Sequence, residues 1–170
     1  MLDLINEMMR AVKSKAYYPA LITAVTIPDI CSFLSTGSTT GNKARYVKWF
    51  NDFVSYRFDG LIDGNIAYDL RCSVLHEGTL EVKSKSFTQF IVVTSKNDIS
   101  VNHWGIKRGS SEYLFIELNI FCHHIYESVI AWINKVENTK SYQDNYKKFF
   151  KKEKLHMPWA EALDVIAVFQ

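Results

Sequence analysis

Leu2, Ile5, Met8 or Met9 and Val12 recur at steps of three and four, the spacing of one helix face, and predict a short first helix. A longer apolar block, Tyr18 to Leu34, predicts a buried helix, kinked or restarted at Pro28, where the backbone loses a donor. Pro19, Pro28 and Asp29 interrupt this block, which argues for a core helix and against a membrane span. The run Ser35 to Gly41 is rich in Ser, Thr and Gly and reads as a loop. A helix then starts at Asn42, with Tyr46, Val47, Phe50, Phe53 and Val54 on its buried side. The next helix spans about 64–77. Asp63 is placed to cap it, Ile66, Leu70 and Val74 form its core stripe, and Gly78 stands where a left-handed terminator belongs.

At Thr79 the period changes. Leu80-x-Val82, Phe90 to Val93 and Ile99-x-Val101 are short β-branched runs separated by Ser, Asn and Asp, and they predict a small antiparallel sheet at about 79–108. Phe115, Leu118, Cys122, Ile125, Val129, Trp132 and Val136 then step by three and four, as in a long helix with a narrow apolar seam. That seam suits either the spine of a bundle or a face for a second subunit. From about residue 140 the chain turns basic and apolar. Lys147, Lys148, Lys151, Lys152 and Lys154 surround Phe149 and Phe150, and an apolar segment follows Pro158; both are expected to pack on the body. The pattern as a whole predicts one mainly α domain over 1–170, a helical bundle with a small antiparallel β insert.

Composition narrows the function classes. At 170 residues and 48% hydrophobic, the chain is long enough for one real core. A net charge of +2 does not call for a polyanion, so any nucleic-acid surface must come from local clusters. Cys31, Cys72 and Cys122 are odd in number and widely spaced, which fits reduced thiols in the cytoplasm better than a disulfide framework or zinc site. The N-terminal stretch lacks the apolar run of a signal peptide. No membrane and no cofactor is expected.

The candidate chemistry lies at Tyr68-Asp-Leu-Arg-Cys-Ser-Val-Leu-His-Glu-Gly78. Arginine grips phosphate oxygens, and histidine moves protons near neutral pH. On an α-helix, Arg71 and His76 would lie about 140° apart and roughly 7.5 Å along the axis and would not share a face, although a flexible arginine can still swing toward the side of His76. The segment resembles the Arg-x4-to-6-His signature of the HEPN superfamily, all-helical domains that include metal-independent endoribonucleases. Leu-Arg-Cys-Ser-x-Leu-His-x-Gly is also similar to a set of prokaryotic proteins of comparable size. The likeness extends from the helix at Asn42 to the long helix ending near Asn138. It implies a HEPN-like bundle, a homodimer whose two Arg/His pairs line one cleft, and RNA cleavage by attack of the ribose 2′-OH. Arg71 and His76 would be catalytic, with Tyr68, Cys72, Ser73 and Glu77 as supporting residues. Cys72 departs from the signature, where Asn, Asp or His commonly follows the arginine. A toxin or phage-defence setting, with a cognate antitoxin or partner protein, is also implied. The alternative is a HEPN-like binding or scaffolding module without catalysis.

Other motifs weigh less. Lys43, Arg45 and Lys48, with Lys147, Lys148, Lys151 and Lys152, are candidate RNA contacts, although a solvated helix face would read the same way. Gly37-x3-Gly41-Asn42-Lys43 has the wrong spacing for a phosphate loop, and Ala44 replaces its Ser or Thr. His123 and His124 have only Glu127 as an acidic neighbour on the helix, so no metal site is expected. His103-Trp104 could stack on a base but reads first as packing.

Overall fold

The structure is a computed structural model that describes residues 1–80, 87–95 and 103–149. Helix α1 (Leu2–Lys13) is followed by α2 (Tyr17–Thr36) and α3 (Asn42–Phe53). A 3-10 turn, Ser55–Phe58, leads to α4 (Gly64–Cys72), which continues as a π-helical turn, Ser73–Glu77. Strands β1 (Gln89–Val93), β2 (Trp104–Arg108) and β3 (Ser111–Glu117) form one sheet, and α5 (Leu118–Val136) and α6 (Lys140–Tyr146) close the described chain. The fold is mainly α with a small β insert.

Helix α2 is the hub, packed against α1, α3, α4, α5 and α6. It is apolar on most sides, as a helix surrounded by neighbours must be. It runs as one helix through Pro28, which lies buried inside it, so the chain does not restart there. Proline removes one helical donor, the one that would serve the carbonyl of Ala24 four residues back. The buried Tyr46 hydroxyl lies 3.2 Å from the Val25 carbonyl and 3.3 Å from that of Ala67, and so supplies a donor where α2, α3 and α4 meet. Alone among the described helices, α2 is long and apolar enough to cross a membrane; half of that stretch is buried inside the fold.

The α5 seam is the spine of this bundle. Leu118, Cys122, Ile125, Val129 and Trp132 are all buried, and Trp132 Nε1 donates to Ser35 Oγ at 3.1 Å. The seam therefore does not offer a face to a second subunit. Helix α5 also starts later than its apolar period suggests. Phe115 belongs to β3, where it is paired in register with Trp104 and stacked on it at 4.6 Å. A strand and a helix can share one apolar spacing over a few residues, and here Glu117 sets the boundary. Its carboxylate accepts from the Ile120 N–H at 2.7 Å and so caps α5.

The sheet is mixed, not antiparallel, with order β1-β3-β2. β2 and β3 form a hairpin through a left-handed Gly109, while β1 pairs parallel to β3 from Gln89↔Tyr113 to Val93↔Glu117. The insert therefore extends to Glu117. Of the expected β runs, Phe90 to Val93 is β1; Val82, Ile99 and Val101 lie outside the described residues. Leu80 is described, and its carbonyl accepts from the Phe90 N–H at 2.8 Å.

The tail is docked as far as it is described. Asn145 Nδ2 donates to the Leu34 carbonyl at 3.1 Å and Ser141 Oγ to the Ser35 carbonyl at 2.9 Å, which ties α6 to the end of α2. The three cysteines are unpaired, with Cys31 and Cys122 buried.

Candidate active site

Two sequence features set the position of the Arg71/His76 helix. Asp63 caps α4, its Oδ1 accepting from the N–H groups of Asn65 and Ile66 at 2.9 Å. Gly64 lets the helix approach α3 closely: a Cβ there would stand 2.5 Å from the Val47 carbonyl oxygen. The Gly64 N–H donates to Asn51 Oδ1 at 2.7 Å across the same crossing. The α4 stripe holds, since Leu70 is buried and Ile66 and Val74 pack half-buried against the core.

The decisive local feature is the π turn. The Gly78 N–H bonds back to the Ser73 carbonyl, and Gly78 adopts φ 62°, ψ 23°, the left-handed terminator expected of it. An i to i+5 turn is wider than an α turn and carries one extra residue. The wider turn between them brings residues five apart closer to one face than an α-helix would. Arg71 Nη1 stands 2.7 Å from His76 Nε2. The arginine thus reaches the side of His76, as its flexibility allows, over a turn that is π and not the ideal α-helix expected.

Arg71 is held from behind by an acid that the sequence reading used only as a break in α2. Its Nε donates to Asp29 Oδ2 at 2.9 Å, with the two side chains 14% and 18% exposed. Burial disfavours the guanidinium charge, but the Asp29 carboxylate more than offsets this and raises the group above its ordinary value. A signal for Asp29 was present. A lone carboxylate in a buried apolar helix requires a partner, although the 20 Lys and Arg residues of the chain leave its identity open. Asp29 Oδ1 is buried and has no hydrogen-bond partner among the described residues.

Around this pair sit the other side chains. Cys72 Sγ lies 4.0 Å from Arg71 Nη1. The Arg71 guanidinium lies 5.7 Å from the Tyr68 ring centroid, and Lys43 Nζ lies 5.4 Å from the same centroid. Tyr68 in turn meets Tyr46 edge-on at 5.3 Å. Burial, followed by the neighbouring Cys72 thiol, raises the Tyr68 phenol above its ordinary value. Lys43, Tyr68, Arg71, Cys72 and His76 are thus brought together, with Asp29 beneath them.

Arginine only donates, so Nε2 of His76 is the acceptor in this contact. His76 is exposed and Arg71 is partly buried. The arrangement is an imidazole base and a fixed cation within one hydrogen bond of each other at the surface. A bound oxyanion would take the place of Nε2 as the partner of Arg71 Nη1, freeing the imidazole to accept another proton.

The remaining candidates are placed elsewhere. Ser73 is buried and Glu77 is exposed at the end of the turn. Arg45 is tied to the Thr40 carbonyl and Asn42, and Lys48 pairs with Asp52 at 2.8 Å. Lys147 and Lys148 are exposed after α6, Lys147 being 3.5 Å from Asp144. Lys151 and Lys152 lie outside the described residues. His103 is a packing residue. It meets Phe58 edge-on at 4.8 Å, and its Nδ1 accepts from the Glu117 N–H at 3.1 Å. His123 faces Glu127 at 3.6 Å, and Arg57 pairs with the same carboxylate. Among the described residues, no three His, Cys, Asp or Glu side chains converge as a metal site would require. A groove of about 690 Å³ runs behind the π turn, lined by Tyr18, Ile22, Val74, Leu80 and Leu118. It is mostly apolar, and neither Arg71 nor His76 lines it.

No protein-family model, no curated protein and no solved structure matches the chain.

Proposed function

We propose that this chain is a metal-independent endoribonuclease of HEPN type, with Arg71 and His76 as its catalytic residues. The observation that carries the reading is the 2.7 Å approach of Arg71 Nη1 to His76 Nε2, with the arginine fixed from behind by Asp29. A base and an anion-stabilising cation within one hydrogen bond suit in-line attack on a phosphodiester. His76 Nε2 takes the proton of a ribose 2′-OH, and the 2′-oxygen attacks the adjacent phosphorus. Arg71 stabilises the charge that develops on the non-bridging oxygens. The P–O5′ bond breaks, leaving a 2′,3′-cyclic phosphate and a 5′-hydroxyl. The leaving oxygen needs a proton, and a homodimer would supply it from His76 of the partner subunit. A monomer in light scattering at micromolar concentration would exclude that composite site. DNA lacks the 2′-OH and is not a substrate. A toxin or phage-defence role with a partner protein is the biological setting this chemistry fits.

The second reading is a HEPN-like binding or scaffolding module without catalysis. It is favoured by a specific feature of the site: Arg71 is satisfied by Asp29 and His76, and Cys72 is a poor orienting group for the imidazole. Incubation of RNA with the protein in EDTA separates the two. Cleavage by wild type and none by His76→Ala supports the nuclease; intact RNA with both supports the module.

A further inference from the structure

We propose that Tyr68 and Lys43 form a nucleotide subsite beside Arg71, in which an unpaired base stacks on the Tyr68 ring and Lys43 holds the neighbouring phosphate. This rests on the ribonuclease reading and narrows its substrate to single-stranded RNA. The Tyr68 ring is flanked by two cations, Lys43 Nζ at 5.4 Å and the Arg71 guanidinium at 5.7 Å from its centroid. The two cations have different surroundings. Arg71 is fixed by the Asp29 carboxylate, whereas Lys43 is exposed and makes no ion pair among the described residues. An exposed lysine resting on an aromatic face is a weak, easily displaced contact, and a nucleobase stacked on the same ring binds more strongly. A base arriving at Tyr68 therefore displaces the ammonium, which remains close enough to meet a phosphate of the same strand. The ring itself is braced: Tyr46 supports it edge-on from the core at 5.3 Å, so it can act as a fixed platform. Cation, ring, cation and imidazole then follow one another from Lys43 to His76, the order a single strand would meet with one base on Tyr68 and its scissile phosphate at Arg71. A base inside a duplex is already stacked and paired and cannot reach the ring.

The test is fluorescence anisotropy with a short, labelled, single-stranded 2′-O-methyl RNA, which cannot be cleaved, and with its duplex. Tyr68→Ala should weaken single-strand binding roughly tenfold or more, with Tyr68→Phe within about twofold of wild type. Lys43→Gln should weaken binding and make its salt dependence shallower by about 0.7 in log–log slope. On cleavable RNA, Lys43→Gln should raise KM with little change in kcat. Because Lys43 is exposed, its variants test the subsite even if Tyr68→Ala proves unstable in a thermal melt. Wild-type affinity in Tyr68→Ala, an equal loss on duplex RNA, or loss in Lys43→Gln alone would each overturn the subsite, and cleavage abolished by His76→Ala would still stand. Tyr68-dependent binding with no cleavage by wild type keeps the subsite and removes the nuclease. Neither binding nor cleavage overturns both.

Discussion

Arg71 Nη1 meets His76 Nε2 where the helix widens between them: five residues, Ser73–Glu77, make a π turn, and the two side chains come closer to one face. Single-turn π segments in an otherwise α-helical element are frequent at functional sites, since the extra residue costs regular hydrogen bonding. Here that irregularity helps a flexible arginine reach the imidazole.

His76→Ala is expected to lower RNA cleavage by about 100- to 10,000-fold, the usual contribution of a general acid–base group. Its side chain is exposed, so the free energy of unfolding from urea titration should stay within about 0.5 kcal/mol of wild type. Single-turnover cleavage and a denaturation curve on the same preparation check both. Arg71→Lys should also be damaging, because an ammonium cannot bond Asp29 and the phosphate through separate donors of one plane.

Asp29→Asn should reduce both stability and activity. Removing one partner from a buried ion pair costs about 3–5 kcal/mol when burial is complete. The Arg71 and Asp29 side chains keep 14% and 18% of their exposure, and the amide still accepts a hydrogen bond, so about 1–3 kcal/mol is expected. If the variant matches wild type in both urea unfolding and kcat, Asp29 does not position the arginine.

The elements the sequence revealed were those in which one residue type has one structural use. Asp63 as a cap, Gly78 as a terminator and the stripe from Ile66 to Val74 follow from local chemistry, and the structure contains each of them. The β insert was legible in composition but not in pairing, because the parallel register of β1 with β3 depends on a connection and not on either strand. Phe115 fitted the helical period of α5 by coincidence of spacing. The Arg71/His76 pair was legible as residues but not as geometry: nothing in Ser73-Val-Leu-His-Glu77 distinguishes a π turn from an α turn. Asp29 was in view, but its partner is 42 residues away, a separation that no local pattern spans.

Gly64→Ala should destabilise the protein by about 1–3 kcal/mol through overpacking, because the new methyl group meets backbone and not a yielding side chain. The Val47 carbonyl oxygen would lie 2.5 Å and the Val47 Cα 2.8 Å from it. Activity should fall with stability, since this crossing sets the position of the helix that carries Arg71. A melting temperature unchanged from wild type would mean that α3 and α4 can separate freely.

Stability should also fall in mild acid, and His103 gives the direction. Burial, followed by the nearby His124 charge, lowers its pKa from 6.5 to about 4. The unfolded chain therefore takes the proton first as the pH falls. The stabilisation is complete above about 6.5, is lost between 6.5 and 4, and changes little below that. His124 is lowered as well, by burial and then by Arg57, and adds in the same direction. Because His103 keeps some solvent access, a loss on the order of 1–2 kcal/mol is expected across this window. His103→Asn supplies an acceptor for the Glu117 N–H without a titrating ring, so urea midpoints measured from pH 7 to pH 4.5 should decline less in that variant. An equal decline in both proteins would assign the acid sensitivity to other groups.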